Sequence, residues 1–335
     1  MPDAQVVSLE QRSSRCRAIT TRGRPCRNRA VDGSQFCRLH LPTDAPMRAG
    51  EFLPERLGSL TRTDLREIGE FIRRRMRGEY DVDIFGFDRE LTELLLPIIE
   101  PFTRYWWRVD VIGNERIPAE EPALLASNHA GAIPLDGMVL RGVVWQRPPH
   151  RHLRMLVADL GFTIPFFSHI VRKTGNTMAT PEDTYRLLRM GELVAVFPEG
   201  FKGVGKGWRN RYRLQRFGRA GFVEVAIRAQ VPIVPVAVVG SEEIYPMLAD
   251  VRPLARLLGL PYFPITAQFP LLGPLGLVPL PAKFIVEFCE PIPTDDIDPD
   301  QASDPMVVFD VADRVQQSIQ HTLLKNLKLR RTIFT

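Results

Sequence analysis

The chain is poor in cysteine, in acidic residues at its start, and in apolar runs free of proline. Its 335 residues include only 4 cysteines. Cys16, Cys26 and Cys37 crowd the first 40 residues, and Cys289 stands alone. That distribution excludes a disulfide framework and points to a reducing compartment. The start is polar and basic with no apolar segment, so no secretory signal is expected. No internal repeat is visible. One long uncharged run exists, from Leu257 to Ala282, and its length would suit a membrane span. Pro261, Pro264, Pro270, Pro274, Pro279 and Pro281 rule out a continuous helix there. Unpaired backbone is not tolerated in lipid, so the run is expected to form irregular apolar structure, buried or dipping into a membrane surface.

What is present is a globular composition. The chain is 44% hydrophobic, enough for one large or two smaller cores, and its net charge of +5 suggests an anionic partner. Nucleic acid, anionic lipid and a phosphorylated substrate all fit that charge. Residues 1–42 read as a first unit almost without apolar residues, 43–60 as a linker, and 61–104 as helical. Over 63–78, Leu65, Ile68, Phe71, Ile72 and Met76 share one helical face, and Arg73, Arg74, Arg75 and Arg77 crowd its end. A second helix is expected over 88–102, kinked at Pro97.

Residues 105–295 read as α/β: a mixed sheet flanked by helices. Strands are expected at 107–113, 123–127, 153–158, 193–197, 233–240 and 283–290. Thr180-Pro-Glu-Asp183 is a helix start, with Thr180 at the N-cap and Pro181 first in the helix. In 296–335 a terminal helix is expected, over 304–327, with Val308, Val311, Val315, Ile319 and Leu323 as its buried stripe. Two prolines in "VPIVPVAVVG" (231–240) belong at an edge or strand end, because proline cannot donate to a ladder.

Two groups of residues carry chemistry. Cys16, Cys26, Cys37 and His40 give four ligands in a segment too short for a core, which suits structural, tetrahedral zinc. Residues Cys16, Ala18, Thr20, Gly23, Cys26, Gly33, Cys37 and His40 resemble a small CCCH module of bacterial proteins. Its arginines, among them Arg12, Arg15, Arg22 and Arg24, form either a phosphate-contacting surface, for nucleic acid or anionic lipid, or a solubilising shell. The second group is "SNHAGAIPLD" (127–136). A neutral imidazole at His129 is a general base near neutral pH, and Asp136 can orient it. Taken alone, a histidine in a loop is more often structural. Downstream, "FPEG" (197–200) closes an apolar strand and is followed by Lys202, Lys206, Arg209, Arg211 and Arg213, a setting suited to a phosphorylated ligand. His150, His152, His169 and His321 belong to no motif and read as structural or solvated. Trp106 and Trp107 read as core, though they could meet a membrane.

"NHAGAIPLDG", "VRKTGN", "FPEGFKG" and "VPIVPVAVVG", in this order, resemble the motif blocks of the glycerolipid acyltransferase family, lysophosphatidic-acid type. The resemblance covers about 105–295. It implies that His129 is the base and Asp136 its partner. Arg172, Lys173, Gly175, Glu199, Gly200 and Lys202 would bind substrate. It further implies acyl-CoA or acyl carrier protein as donor, no cofactor for catalysis, and a peripheral position on the cytoplasmic face of a membrane. Two departures stand out. The His–Asp spacing holds two residues more than the family's four, and Lys202 replaces an arginine, losing the bidentate fork. The second departure admits a neutral acceptor such as diacylglycerol, or a glycolipid. The rival class is a lipid- or nucleic-acid-binding protein without catalysis, its basic zinc module docking on nucleic acid or a protein partner, which would need neither His129 nor Asp136.

Overall fold

A computed structural model describes residues 62–163, 167–218 and 220–334. All of them belong to one unit, Leu60–Thr335. The zinc candidates Cys16, Cys26, Cys37 and His40 lie outside the described residues.

Helices α1 (Arg62–Met76) and α2 (Arg89–Pro101) open the unit, and α2 runs through Pro97 before a wider turn at Phe102–Trp106. Then follow β1 (Asp110–Ile112), β2 (Ala123–Ser127), α3 (Asp136–Gln146), β3 (Leu153–Val157), α4 (Leu160–Thr163) and α5 (Phe167–Lys173). Next come β4 (Thr177–Met178), α6 (Pro181–Arg189), β5 (Leu193–Val196), α7 (Phe201–Val204), α8 (Gly221–Ala229) and β6 (Ile233–Val239). The chain continues through β7 (Met247–Asp250), α9 (Arg252–Leu257), β8 (Pro264–Thr266), β9 (Ile285–Phe288) and α10 (Pro305–Leu329).

Seven strands form one sheet in the order β1-β9-β6-β2-β5-β3-β4. Neighbours pair in parallel except β6 with β9, which run antiparallel, so the sheet is mixed as expected. The central strands β2 and β6 are buried at every residue, which is why they read as continuous Val/Ile/Leu/Ala runs rather than as alternation. Their two faces feed separate cores. Leu124 and Ala126 meet α6, α8 and α10 on one side, while Ala123 and Leu125 meet α3 and Phe284 on the other. The stripe Val308, Val311, Val315, Ile319 and Leu323 is buried, as its spacing predicts.

Three expectations are corrected. The first strand is only 110–112, because Arg108 takes a left-handed backbone (φ +45) that breaks extended geometry. Pro235 lies inside the central strand β6, not at its end. It is tolerated because the antiparallel ladder to β9 begins one residue later, at Val236, and its carbonyl accepts from the Cys289 N–H at 2.8 Å. The proline-rich run is not wholly irregular. It contributes β8, which pairs antiparallel with β7.

Trp107 is fully buried. The indole N–H groups of Trp106 and Trp107 donate to the Pro279 and Leu280 carbonyls at 2.9 and 3.3 Å. Both therefore pin the end of the proline-rich run to the body.

Candidate active site

Three adjacent parallel strands end side by side. β5 delivers Glu199, β2 delivers Asn128 and His129, and β6 delivers Ser241 and Glu242. Ligands of α/β sheets gather at such carboxyl ends. Asn128 is wholly buried, and its side chain continues the β2–β6 ladder. Its Nδ2 donates to the Val238 carbonyl at 3.0 Å, and its Oδ1 accepts from the Val238 N–H at 2.7 Å. That double bond fixes the backbone immediately before His129.

The His129 ring is set by contacts on two sides. Nδ1 lies 2.8 Å from Asp136 Oδ2. The ring also stacks on Phe197, with centroids 4.4 Å apart. The side chain keeps 15% of its surface accessible, while that of Asp136 keeps 0%. Asp136 Oδ2 also accepts from the Ala130 N–H at 2.9 Å, and Oδ1 from the Gly137 N–H at 2.8 Å. A carboxylate only accepts, so Nδ1 is the donor, and in the neutral ring that leaves the lone pair on Nε2. Asp136 opens α3, where the helix dipole favours negative charge.

The two additional loop residues do not separate the pair. Between His129 and Asp136 the chain bends at Gly131, whose φ is +92. A Cβ at Gly131 would also lie 2.8 Å from the Ser241 carbonyl, so only glycine fits.

Glu199 is buried and fully engaged. Its Oε1 accepts from the His129 N–H at 2.9 Å, and its Oε2 from Gln215 N–H at 2.6 Å and Lys206 Nζ at 3.2 Å. Lys206 Nζ lies 3.1 Å from Glu242 Oε1 as well. Burial raises the Glu242 carboxyl above its ordinary range, against the lowering pull of Lys206. Glu242 Oε2 in turn accepts from the Tyr212 N–H at 2.9 Å. The chain of contacts therefore straps the 199–215 loop to the backbone of His129.

Packing tightens the same strap. A Cβ on Gly203 would lie 2.6 Å from the His129 carbonyl, so α7 rests directly on the histidine. From the proline-rich run, the Tyr262 hydroxyl donates to the Ala132 carbonyl at 2.9 Å. Burial, with the Asp136 charge adding to it, pushes that phenol up to about 12.

The structure thus joins His129, Asp136 and Glu199. Gly200 follows Glu199 in a left-handed turn (φ +53), and Lys202 is exposed with no ion pair among the described residues. Arg172, Lys173 and Gly175 form a separate group. Arg172 lies over the Phe162 ring, Lys173 Nζ lies 4.1 Å from the centre of the Tyr80 ring, and Gly175 packs on Phe87 and Arg154. Among the described residues no hydrogen bond or ion pair ties these three to the pair. Asn128, Gly203, Lys206 and Tyr262 were not singled out from the sequence as site residues. Asn128 carried a signal, since it sits beside His129 in the first motif block. Lys206 did not, being one cation in a row of them.

Fold and pair together describe an α/β domain with a histidine–carboxylate pair at the carboxyl end of a central strand. The acyltransferase family model matches residues 108–239, which hold every one of these positions from His129 to Lys202. An uncharacterised protein of Mycobacterium tuberculosis is 52% identical over 269 residues, 80% of this chain and 75% of its own length. Residues 108–239 of the chain belong to the acyltransferase family. A human protein described as a DGAT1/2-independent enzyme synthesizing storage lipids is 31% identical over 147 residues, 44% of each chain. The 1-acyl-sn-glycerophosphate (LPA) acyltransferase PlsC of Thermotoga maritima aligns with 73% of this chain and 85% of its own at a TM-score of 0.45 and 16% identity.

Proposed function

We propose that the protein moves a fatty acyl group from an acyl thioester, on coenzyme A or acyl carrier protein, to a hydroxyl of a lysophospholipid or related glycerolipid. The observation that carries this reading is the 2.8 Å contact between His129 Nδ1 and the buried Asp136. In the proposed step Nε2 takes the acceptor hydroxyl proton as the oxygen bonds to the thioester carbonyl carbon. The C–S bond then breaks, and the imidazolium returns the proton to the departing thiolate. Asp136 holds the tautomer and stabilises the imidazolium. In this reading Lys202, Arg172 and Lys173 meet anionic groups of the substrates, Gly175 and Gly200 shape the backbone beside them, and Glu199 positions His129.

A second reading keeps the chemistry and makes the acceptor neutral, such as diacylglycerol. It is favoured by the lysine at 202 and by the relative described as synthesizing storage lipids. Structural zinc at Cys16, Cys26, Cys37 and His40 is a further part of the proposal, resting on ligand type and spacing.

The test is His129→Ala assayed with acyl-CoA over a panel of lysolipid and diacylglycerol acceptors. Loss of a general base lowers turnover by ~10²–10⁴-fold. Turnover near wild type on every acceptor would sink the mechanism, and the panel separates the two acceptors.

A further inference from the structure

The segment from β7 to the end of the proline-rich run presents an apolar face to solvent. Leu257, Leu271, Leu275 and Leu277 are 81%, 85%, 71% and 56% exposed, with Leu248 and Val278 beside them in the chain segment. Such a concentration of exposed leucine is not the scattered apolar exposure of an ordinary surface. Between Val251 and Ala282 the only charged residues are Arg252 and Arg256, both exposed.

The neighbouring loop is also free of acids. From Phe201 to Val223 every charged residue is cationic. Arg209, Arg211, Arg213 and Arg216 are exposed and have no ion pair among the described residues. Arg211 stacks on Trp208 at 4.4 Å. This loop touches the apolar segment. A Cβ on Gly205 would lie 3.4 Å from Tyr262, and Trp208 and Met247 line one small cavity with Gly131 and Ala132 of the catalytic loop.

We propose that this surface docks on an anionic bilayer, with the leucines entering the acyl region and the Trp208–Arg211 loop lying among the headgroups. Leucine next to a cationic, aromatic collar is the pattern of an interfacial segment. Among the described residues no helix is long and apolar enough to cross a membrane, so the segment lies on the bilayer instead. Helices α1 and α2 also expose Ile72, Met76 and Ile98, but among charges of both signs: Arg74 pairs with Glu90, Arg75 with Asp88, and Arg89 with Glu93. The 251–282 face differs in that its own charges, Arg252 and Arg256, are cationic, the first lying 3.7 Å from Asp250 at the end of β7. Tyr262 connects it to the active site through the Ala132 carbonyl. The proposal deepens the lipid-acceptor reading, since it places the catalytic loop against the surface that holds such an acceptor. Its test is a binding measurement that stands apart from turnover.

Full-length protein is sedimented with vesicles of phosphatidylcholine alone and with added phosphatidylglycerol. Wild type is expected to bind the anionic vesicles, more weakly as salt rises. The double variant Leu271→Glu/Leu275→Glu is expected to lose binding at least about tenfold. Arg209→Glu/Arg211→Glu is expected to lose the preference for phosphatidylglycerol. Thermal unfolding checks the fold, and Leu257→Ser/Leu277→Ser repeats the test with a milder change. Both leucine doubles are expected to keep turnover on a dispersed short-chain acceptor while losing it on a vesicle-embedded one. If the acyltransferase reading fails, no variant turns over and sedimentation still decides the docking. Absent binding by wild type, or undiminished binding by both leucine doubles, overturns the proposal. So does a dimer that the leucine variants dissolve without any vesicle binding.

Discussion

Replacing Asp136 by asparagine separates an orienting role from a space-filling one. The native carboxylate takes three donors: His129 Nδ1–H and Ala130 N–H at Oδ2, and Gly137 N–H at Oδ1. Asparagine offers one acceptor oxygen and one donor nitrogen, so it cannot satisfy all three. With its oxygen toward His129, its NH₂ faces the Gly137 N–H, and a buried donor loses its partner. That costs about 1–3 kcal/mol of stability. With the amide flipped, its NH₂ faces both Ala130 and His129. The ring then accepts at Nδ1 and carries its proton on Nε2, where the base should be. Catalysis then falls by ~10²–10⁴-fold, or about 3–5 kcal/mol of barrier. From the sequence, an orienting acid predicts a milder defect than loss of His129. The three-donor geometry narrows that gap, because the flipped amide disables the base outright. The assay is kcat and KM with acyl-CoA and the preferred acceptor, alongside a thermal melt. A variant within about threefold of wild-type kcat and unchanged in stability would refute both the tautomer argument and the general-base assignment.

Lys206→Met leaves Glu199 and Glu242 buried without their cation and is expected to cost about 3–5 kcal/mol in denaturant unfolding, with kcat falling as the His129 backbone loosens. His152 sits against Trp145 and Phe87, and burial holds its pKa below the ordinary 6.5 despite the opposing pull of Glu93. The neutral ring therefore contributes stability that is present above pH 6.5 and lost as pH falls through the folded value, and His152→Phe should flatten that part of the stability profile. Metal analysis of freshly purified protein should find about one zinc per chain, lowered by Cys37→Ser, and a metal-free protein would refute the ligand reading.

Those residues differ in how visible they were beforehand. Buried central strands announce themselves, because a strand covered on both faces is apolar throughout, and the sequence marks 123–127 to the residue. The pair His129–Asp136 was visible as a motif, but its geometry was not. The six residues between them still leave Nδ1 and Oδ2 2.8 Å apart, with the chain bending at Gly131. The hairpin of β7 and β8 was missed because Pro264 opens β8 and the strand holds only three residues. Lys206 and Arg209 look alike in sequence. One is buried between two carboxylates and the other is exposed, a difference set by Glu199 and Glu242, which are distant in sequence and brought together at the ends of the two strands flanking β2.

That last contrast bears on how the site is built. His129 is held at its ring by Asp136 and at its backbone by Glu199, and Glu199 in turn accepts from Lys206 and Gln215. The loop that supplies those two donors also carries the exposed arginines and touches the leucine-bearing segment. A perturbation of that loop therefore reaches His129 through two bonds, whereas a perturbation of α5 and its Arg172–Gly175 turn has no such path among the described contacts. Charge reversals in the two basic groups should consequently differ in kind. Those at 209 and 211 should alter surface binding, and those at 172 and 173 should alter KM for an anionic substrate without moving His129.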